Sequence, residues 1–233
     1  DLCMAMNDDV KTILQEKGWQ GPSEVVPLGV HLPRYENVKP MELSLPPSGP
    51  VIGFLGKMDD QKGVLDLVAA LRELEKKVKI SSLFIGSGPL FHEVKEQLQS
   101  LKGHNLCLPA VSHEDVPAAL AAMDIVVMPS RTQQHLKEQF GRVAVEAMAS
   151  GKAVIVSSSG ALPSVVEDCG LLFPEGDVNK LADTISQLIK DKNLASNLAS
   201  SAKELVAKRY SWSVIADQFV DIYQRLLATS EVD

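Results

Sequence analysis

A cationic excess, a cysteine framework and long apolar runs are all missing from this 233-residue sequence. Lys and Arg number 23 against 30 Asp and Glu, a formal net charge of −7. Affinity for nucleic-acid backbones rests on clustered Lys and Arg, so a nucleic-acid partner is excluded. The densest basic run, Glu75-Lys76-Lys77-Val78-Lys79, falls at the end of an expected helix and reads as solvated surface. Cys3, Cys107 and Cys169 are scattered, without C-x-x-C spacing, which points to reduced thiols in a cytoplasmic setting and excludes structural zinc. No stretch approaches the roughly 20 apolar residues that cross a bilayer, and membrane association through this region is not expected. The opening Asp1-Leu2-Cys3-Met4 lacks the regions of a signal peptide, and a start at Asp leads us to expect further sequence upstream. The five histidines form no H-E-x-x-H and no D-x-D occurs, so no metal is expected.

What is present is 45% hydrophobic residues with 15 Gly and 13 Pro spread along the chain, enough for a sizeable core. Residues 1–49 read as a junction, with an amphipathic helix over Asp8 to Lys17, a short strand at Glu24 to Pro27 and a proline-rich loop ending at Pro50. From residue 50, short apolar runs alternate with helical patterns. The expected strands are Val51 to Leu55, Ser82 to Ile85, Asn105 to Leu108, Ile125 to Met128, Ala153 to Val156 and Gly170 to Phe173. They are too uniformly apolar to have a wet face, which defines an α/β domain with a parallel sheet covered by helices on both sides, spanning 50–210. Helices follow at Asp177 to Lys190, Leu194 to Tyr210 and Ser211 to Ala228. The last, within 211–233, carries Trp212, Ile215, Phe219, Ile222, Tyr223 and Leu226 on one side and calls for a partner, expected in a preceding domain.

Ligands of such sheets bind beyond the carboxyl ends of the strands, which directs attention to the loops there. The first contains Gly53, Gly56, Lys57, Lys62 and Gly63, two lysines flanking a turn that leads into a helix N-terminus, a combination suited to a diphosphate. The second is Gly86-Ser87-Gly88-Pro89, with Pro89 expected at the first helical position. Phe91 occupies the third glycine position of a dinucleotide fingerprint and no acid ends the next strand, which argues against a nicotinamide dehydrogenase. The third is Glu138-Gln139-Phe140-Gly141-Arg142, running into a nearly apolar helix that contains Glu146. A buried Glu146 requires a partner: Arg142, a backbone turn or hydroxyls of a ligand. On one straight helix the two glutamates would lie about 12 Å apart and about 80° around the axis, so they converge only if Glu138 sits in the loop before it. His135, in the same polar loop, reads as solvated.

Taken together, Gly56-Lys57, Lys62-Gly63, Gly86-Ser87-Gly88-Pro89, Pro129-Ser130 and Glu138-x-Phe140-Gly141 with Glu146-Ala147-Met148-Ala149-Ser150-Gly151 resemble the nucleotide-sugar-binding half of GT-B retaining glycosyltransferases, group 1 (family 4). The resemblance runs from about Val25 to Tyr223 and implies a Rossmann-like, doubly wound C-terminal domain. It implies that Lys57 and Lys62 grip the donor diphosphate, that Glu146 holds the ribose hydroxyls and that Glu138 stands at the donor sugar. Phe140 and Gly141 then form the turn facing sugar and diphosphate, Gly56, Gly86 and Gly88 let the backbone approach the donor, and Val111 and Ser112 cradle the base. Lys57 stands where the family usually has Arg, and Ser159-Gly160-Ala161-Leu162-Pro163-Ser164 replaces a common double glycine and glutamate. The expected substrate is a UDP-, GDP- or ADP-sugar, with no cofactor, and the other half of the site belongs to an N-terminal domain outside this chain. A non-catalytic nucleotide-sugar-binding module and a sugar-nucleotide epimerase of the same architecture remain open alternatives.

Overall fold

Six strands form one parallel sheet in the computed structural model, which describes residues 1–44, 49–134 and 136–230. They are β3 (Val51–Leu55), β4 (Ser81–Ile85), β5 (His104–Leu108), β6 (Ile125–Met128), β7 (Ala153–Ser157) and β8 (Leu171–Phe173), in the order β5-β4-β3-β6-β7-β8. The chain builds outward from β3 in one direction, then returns to β6 and builds in the other. The crevice between β3 and β6 is therefore the switch point of the sheet. Each sequence-expected strand is present, with β4, β5 and β7 one residue longer than their apolar runs indicated and β8 starting one residue later.

Alternation along the strands sorts their side chains into two cores, one on each face. Ile52, Phe54, Phe84, Ile125, Val127 and Ile155 pack with Leu67, Leu71, Val94, Leu98, Leu181 and Ile185 from α2 (Val64–Leu74), α3 (Phe91–Gln99) and α7 (Val178–Lys190). Leu83, Ile85, Val126, Met128, Val154 and Val156 face α4 (Val116–Ala121), α5 (Arg142–Ala149), α6 (Leu162–Val166) and α8 (Lys192–Arg209). Such a sheet is buried on both sides, which is why its strands read as continuous apolar runs. Asp177 and Asp191 cap α7 and α8, their carboxylates accepting from the amides of Lys180 and Leu194.

The segment before residue 50 is more ordered than its pattern indicated. β1 (Cys3–Ala5) pairs in parallel with β2 (Ser23–Val25), with α1 (Asp8–Glu16) between them and a one-turn 3-10 helix at Leu32–Tyr35. The proline-rich stretch Leu45 to Ser48 lies outside the described residues. The last helix, α9 (Trp212–Ser230), splits the single apolar side expected of it: Ile215 and Ile222 are buried against Val26, while Trp212 and Tyr223 remain about half exposed, at 51% and 55%.

Candidate active site

At the switch point, β3 ends at Leu55, followed by Gly56, and β6 ends at Met128, two residues before Ser130. Together with Lys62, Glu138, Gly141, Arg142 and Val143 they line a hollow of about 160 Å³. The Lys62 Nζ donates to Glu138 Oε2 at 2.5 Å, and the Ser130 hydroxyl reaches the same oxygen at 3.2 Å. The Glu138 side chain is 15% exposed and that of Lys62 31%, so the pair is sheltered yet open to a ligand.

Glu138 sits in the loop before α5, and the sheet domain holds that loop at several points. Its carbonyl accepts from the Ala161 amide at 2.9 Å, and a side chain at Gly160 would collide with that carbonyl. Arg131 donates through Nε and Nη2 to the two oxygens of buried Asp66 on α2, at 2.6 and 2.5 Å, while its amide donates to the Gln61 carbonyl at 2.7 Å. The Glu175 carboxylate accepts from the Thr132 amide and hydroxyl at 2.6 and 2.7 Å. The Ser159-Gly160-Ala161 turn, flagged in the sequence only as a departure, thus fixes the backbone of Glu138.

The helix end that faces this hollow belongs to α5, not to α2 as the first loop's sequence indicated. Gly141 is in the left-handed region at φ 80°, and its missing side chain leaves room for Leu162, whose Cδ2 would lie 2.4 Å from a Cβ there. This turn presents the start of α5 to the hollow, where free amides and the positive end of the helix favour an anion. The N-terminus of α2 instead backs onto the Pro129 carbonyl, 1.9 Å from where a Cβ of Gly63 would stand.

Lys57 lies across Gly56, in a second hollow of about 210 Å³ that shares Leu55 and Gly56 with the first and adds Ile85, Gly86, Ser87, Ala110, Val111 and Val116. Its amine is 3.0 Å from Asp59 and its side chain 66% exposed, so the two lysines occupy adjoining hollows. Gly86 permits this junction: a Cβ there would stand 1.8 Å from the Gly56 carbonyl. Gly88 abuts the Met58 carbonyl, and the chain turns once more before α3 begins at Phe91, so Pro89 precedes the helix and does not open it. Ser112 gives its hydroxyl to Asp115 at 2.7 Å. Phe140 points its ring into the core, edge-on to Tyr210, so only its backbone is left to face a ligand. His135 lies outside the described residues.

Glu146 is buried at 4% exposure and lines neither hollow. The Tyr35 hydroxyl lies near it, and Arg142, His113 and Arg34 place positive charge around it. Burial pushes the Glu146 carboxyl above the usual carboxylate range, against the pull of Tyr35 and those cations. Tyr35, Arg131 and Asp66 are the residues that sequence reasoning missed. Their local patterns are a short Pro-containing turn, a polar loop and a helix start, and nothing there signals a partner 65 or more positions away.

A doubly wound sheet with a charged, helix-capped hollow at its switch point defines an α/β domain of the Rossmann-like, GT-B type. The family model for glycosyl transferases group 1 matches residues 38–205, and the chain belongs to that family. It is 32% identical over 204 residues to a phosphatidyl-myo-inositol mannosyltransferase of Mycolicibacterium smegmatis, a match covering 85% of this chain and 51% of that one. A D-inositol 3-phosphate glycosyltransferase of Corynebacterium urealyticum is 33% identical over 198 residues, covering 79% and 45%. The chain spans about half the length of these curated relatives. Among solved structures, the sucrose-phosphate synthase of Thermosynechococcus elongatus superposes with a TM-score of 0.81 at 28% identity, over 98% of this chain and 59% of that one. The Anabaena HepE structure in complex with UDP and glucose shares the fold, with a TM-score of 0.79 at 23% identity over 96% and 63%.

Proposed function

We propose that this chain is the donor-binding half of a retaining, metal-independent glycosyltransferase. In this reading it holds a nucleoside-diphosphate sugar at the switch point and stabilises the diphosphate as the glycosyl group departs. The observation that carries the reading is the convergence of Lys62, Glu138 and the α5 N-terminus on one hollow. As the bond to the sugar breaks, negative charge grows on the leaving phosphate. A lysine and oriented amides in a sheltered site offset that charge without rearranging. In the empty site Glu138 neutralises Lys62; an arriving diphosphate takes over the amine, and the carboxylate is released toward the sugar. Lys57, across Gly56, adds a second positive charge for the distal part of the diphosphate. The adjoining aliphatic walls of Ile85, Ala110, Val111 and Val116 suit the flat face of a base. Glu146, buried on α5, supplies the carboxylate for the ribose hydroxyls in this reading.

An N-terminal domain outside this chain would contact the acceptor and cover the exposed Trp212 and Tyr223 of α9. Calorimetric titration with UDP-glucose, GDP-mannose and ADP-glucose tests the donor claim. Saturable heat with at least one of them is expected, and silence with all three at millimolar concentration refutes it. In the full-length protein, formation of a glycoside product separates transfer from epimerisation, which returns only an isomerised donor.

A further inference from the structure

Glu138 is carried by the sheet domain, yet the residue on either side of it is held from outside that domain, by the start of α1. The Asn7 carboxamide donates through Nδ2 to the Gln139 carbonyl, and the Asp9 carboxylate pairs with the Lys137 amine at 2.6 Å. The two contacts span 132 and 128 positions of the chain, so nothing in the local sequence announces them. On its other side the same stretch is pinned to the sheet domain, where the Glu138 carbonyl accepts from the Ala161 amide at 2.9 Å. The Glu138 carboxylate itself turns into the hollow toward Lys62 and Ser130. The Gln139 carbonyl belongs to the peptide that leads into Phe140 and Gly141, so Asn7 takes hold of the chain between the acid and the start of α5.

Asn7 does two things with one side chain. Its Oδ1 accepts from the Val10 amide at 2.8 Å and so caps α1, while its Nδ2 reaches the loop. Asp or Ser would cap the helix as well, but only asparagine combines a capping oxygen with a separate amide donor. At 9% exposure, Asn7 leaves little room for water to replace a lost partner. The Asp9–Lys137 pair is about half exposed and adds little energy by itself; its part is to fix direction. We propose that Asn7 is a positioning residue for glycosyl transfer: by holding the Gln139 carbonyl it fixes the main chain that carries Glu138, so the segment before the sheet domain sets the aim of that acid. The inference rests on the role given to Glu138 above. The carboxylate stays free to leave Lys62 when a diphosphate arrives, whereas its backbone does not move. Lys62 and α5 both belong to the sheet domain and grip the diphosphate without help from Asn7, so the residue matters more to transfer than to donor binding.

Asn7→Asp keeps the shape and the capping oxygen and removes the donor; Asn7→Ser keeps a capping oxygen without adding charge. If Asn7 served α1 alone, both variants would behave as the unmutated protein. In this chain without ligand, NMR hydrogen exchange reads the loop directly, because the Ala161 amide donates to the Glu138 carbonyl. That amide should exchange about tenfold faster in both variants, the change expected when one hydrogen bond is lost, while the amide of Ile155 in β7 keeps its rate. Unchanged exchange at Ala161 overturns the inference whether or not any donor binds. In the full-length protein, kcat should fall about tenfold in both variants with the donor KM within about twofold of its unmutated value. An unchanged kcat, with or without a raised KM, overturns the positioning role while leaving the donor reading standing. If the unmutated full-length protein forms no glycoside from UDP-glucose, GDP-mannose or ADP-glucose, the role of Glu138 falls and takes that of Asn7 with it, although the exchange at Ala161 still decides whether Asn7 holds the loop.

Discussion

Glu138 and Glu146 stand eight positions apart and live under opposite physics. Glu138 is in a loop, charge-paired to Lys62 at the wall of an open hollow. Glu146 is on a helix and buried, and that burial pushes its carboxyl above the usual range. A charge pair at an opening can be exchanged for a ligand's charges at little cost, because the ligand replaces one partner with another. A buried carboxylate is instead costly in the ligand-free protein and gains when donors arrive. The first arrangement suits a group that moves during turnover, the second a fixed acceptor.

The sharpest way to break this contrast is at the exchangeable pair. In the full-length protein, Lys62→Ala should lower kcat by about a hundredfold or more, the usual loss when one preorganised charge-stabilising group is removed. A steady-state assay with saturating donor checks this. Next in size is Glu146→Gln, expected to weaken donor binding by about tenfold, read by calorimetry. The same variant should also raise Tm at neutral pH. A carboxyl whose folded-state pKa is raised binds its proton more tightly when folded, so its burial destabilises the protein above that value and the penalty fades as pH falls toward the unfolded pKa. The gain in Tm should therefore be larger at pH 8 than at pH 5, a dependence that thermal melts across that range would show.

A smaller effect is expected one layer back. Asp66→Asn leaves Arg131 without its anionic partner and loosens the loop that carries Glu138. It should lower Tm by a few degrees, since about 1 kcal/mol corresponds to roughly 2–4 °C in a domain of this size. It should reduce transfer more than donor affinity. Lys57→Ala should matter least. Its amine is exposed and already paired with Asp59, so about a threefold loss of donor affinity, mostly erased by added salt, is the expected result of titrations at two ionic strengths.

The sheet was legible because burial on both faces makes its strands uniformly apolar, as at Ile125–Met128, where the apolar run and the strand coincide. The residue types and spacing of the loops also pointed to Lys62, Glu138 and Gly141, now found around one hollow. Other features were hidden for physical reasons. Cys3–Ala5 is too short and mixed to announce a strand, and its pairing with Ser23–Val25 exists only in three dimensions. The single apolar side of α9 divided because its pattern encodes hydrophobicity, not which part finds a neighbour. Glu146 was expected to need a partner, and the Tyr35 hydroxyl near it lies 111 positions earlier in a turn with no periodicity of its own.

The most direct test of the account is a pair of calorimetric titrations of this chain, unmutated and Lys62→Ala, against UDP-glucose, GDP-mannose and ADP-glucose. The account predicts saturable binding of at least one nucleotide sugar by the unmutated chain, weakened by tenfold or more when the lysine is removed. Binding of equal strength in both proteins, or none in either, would contradict it.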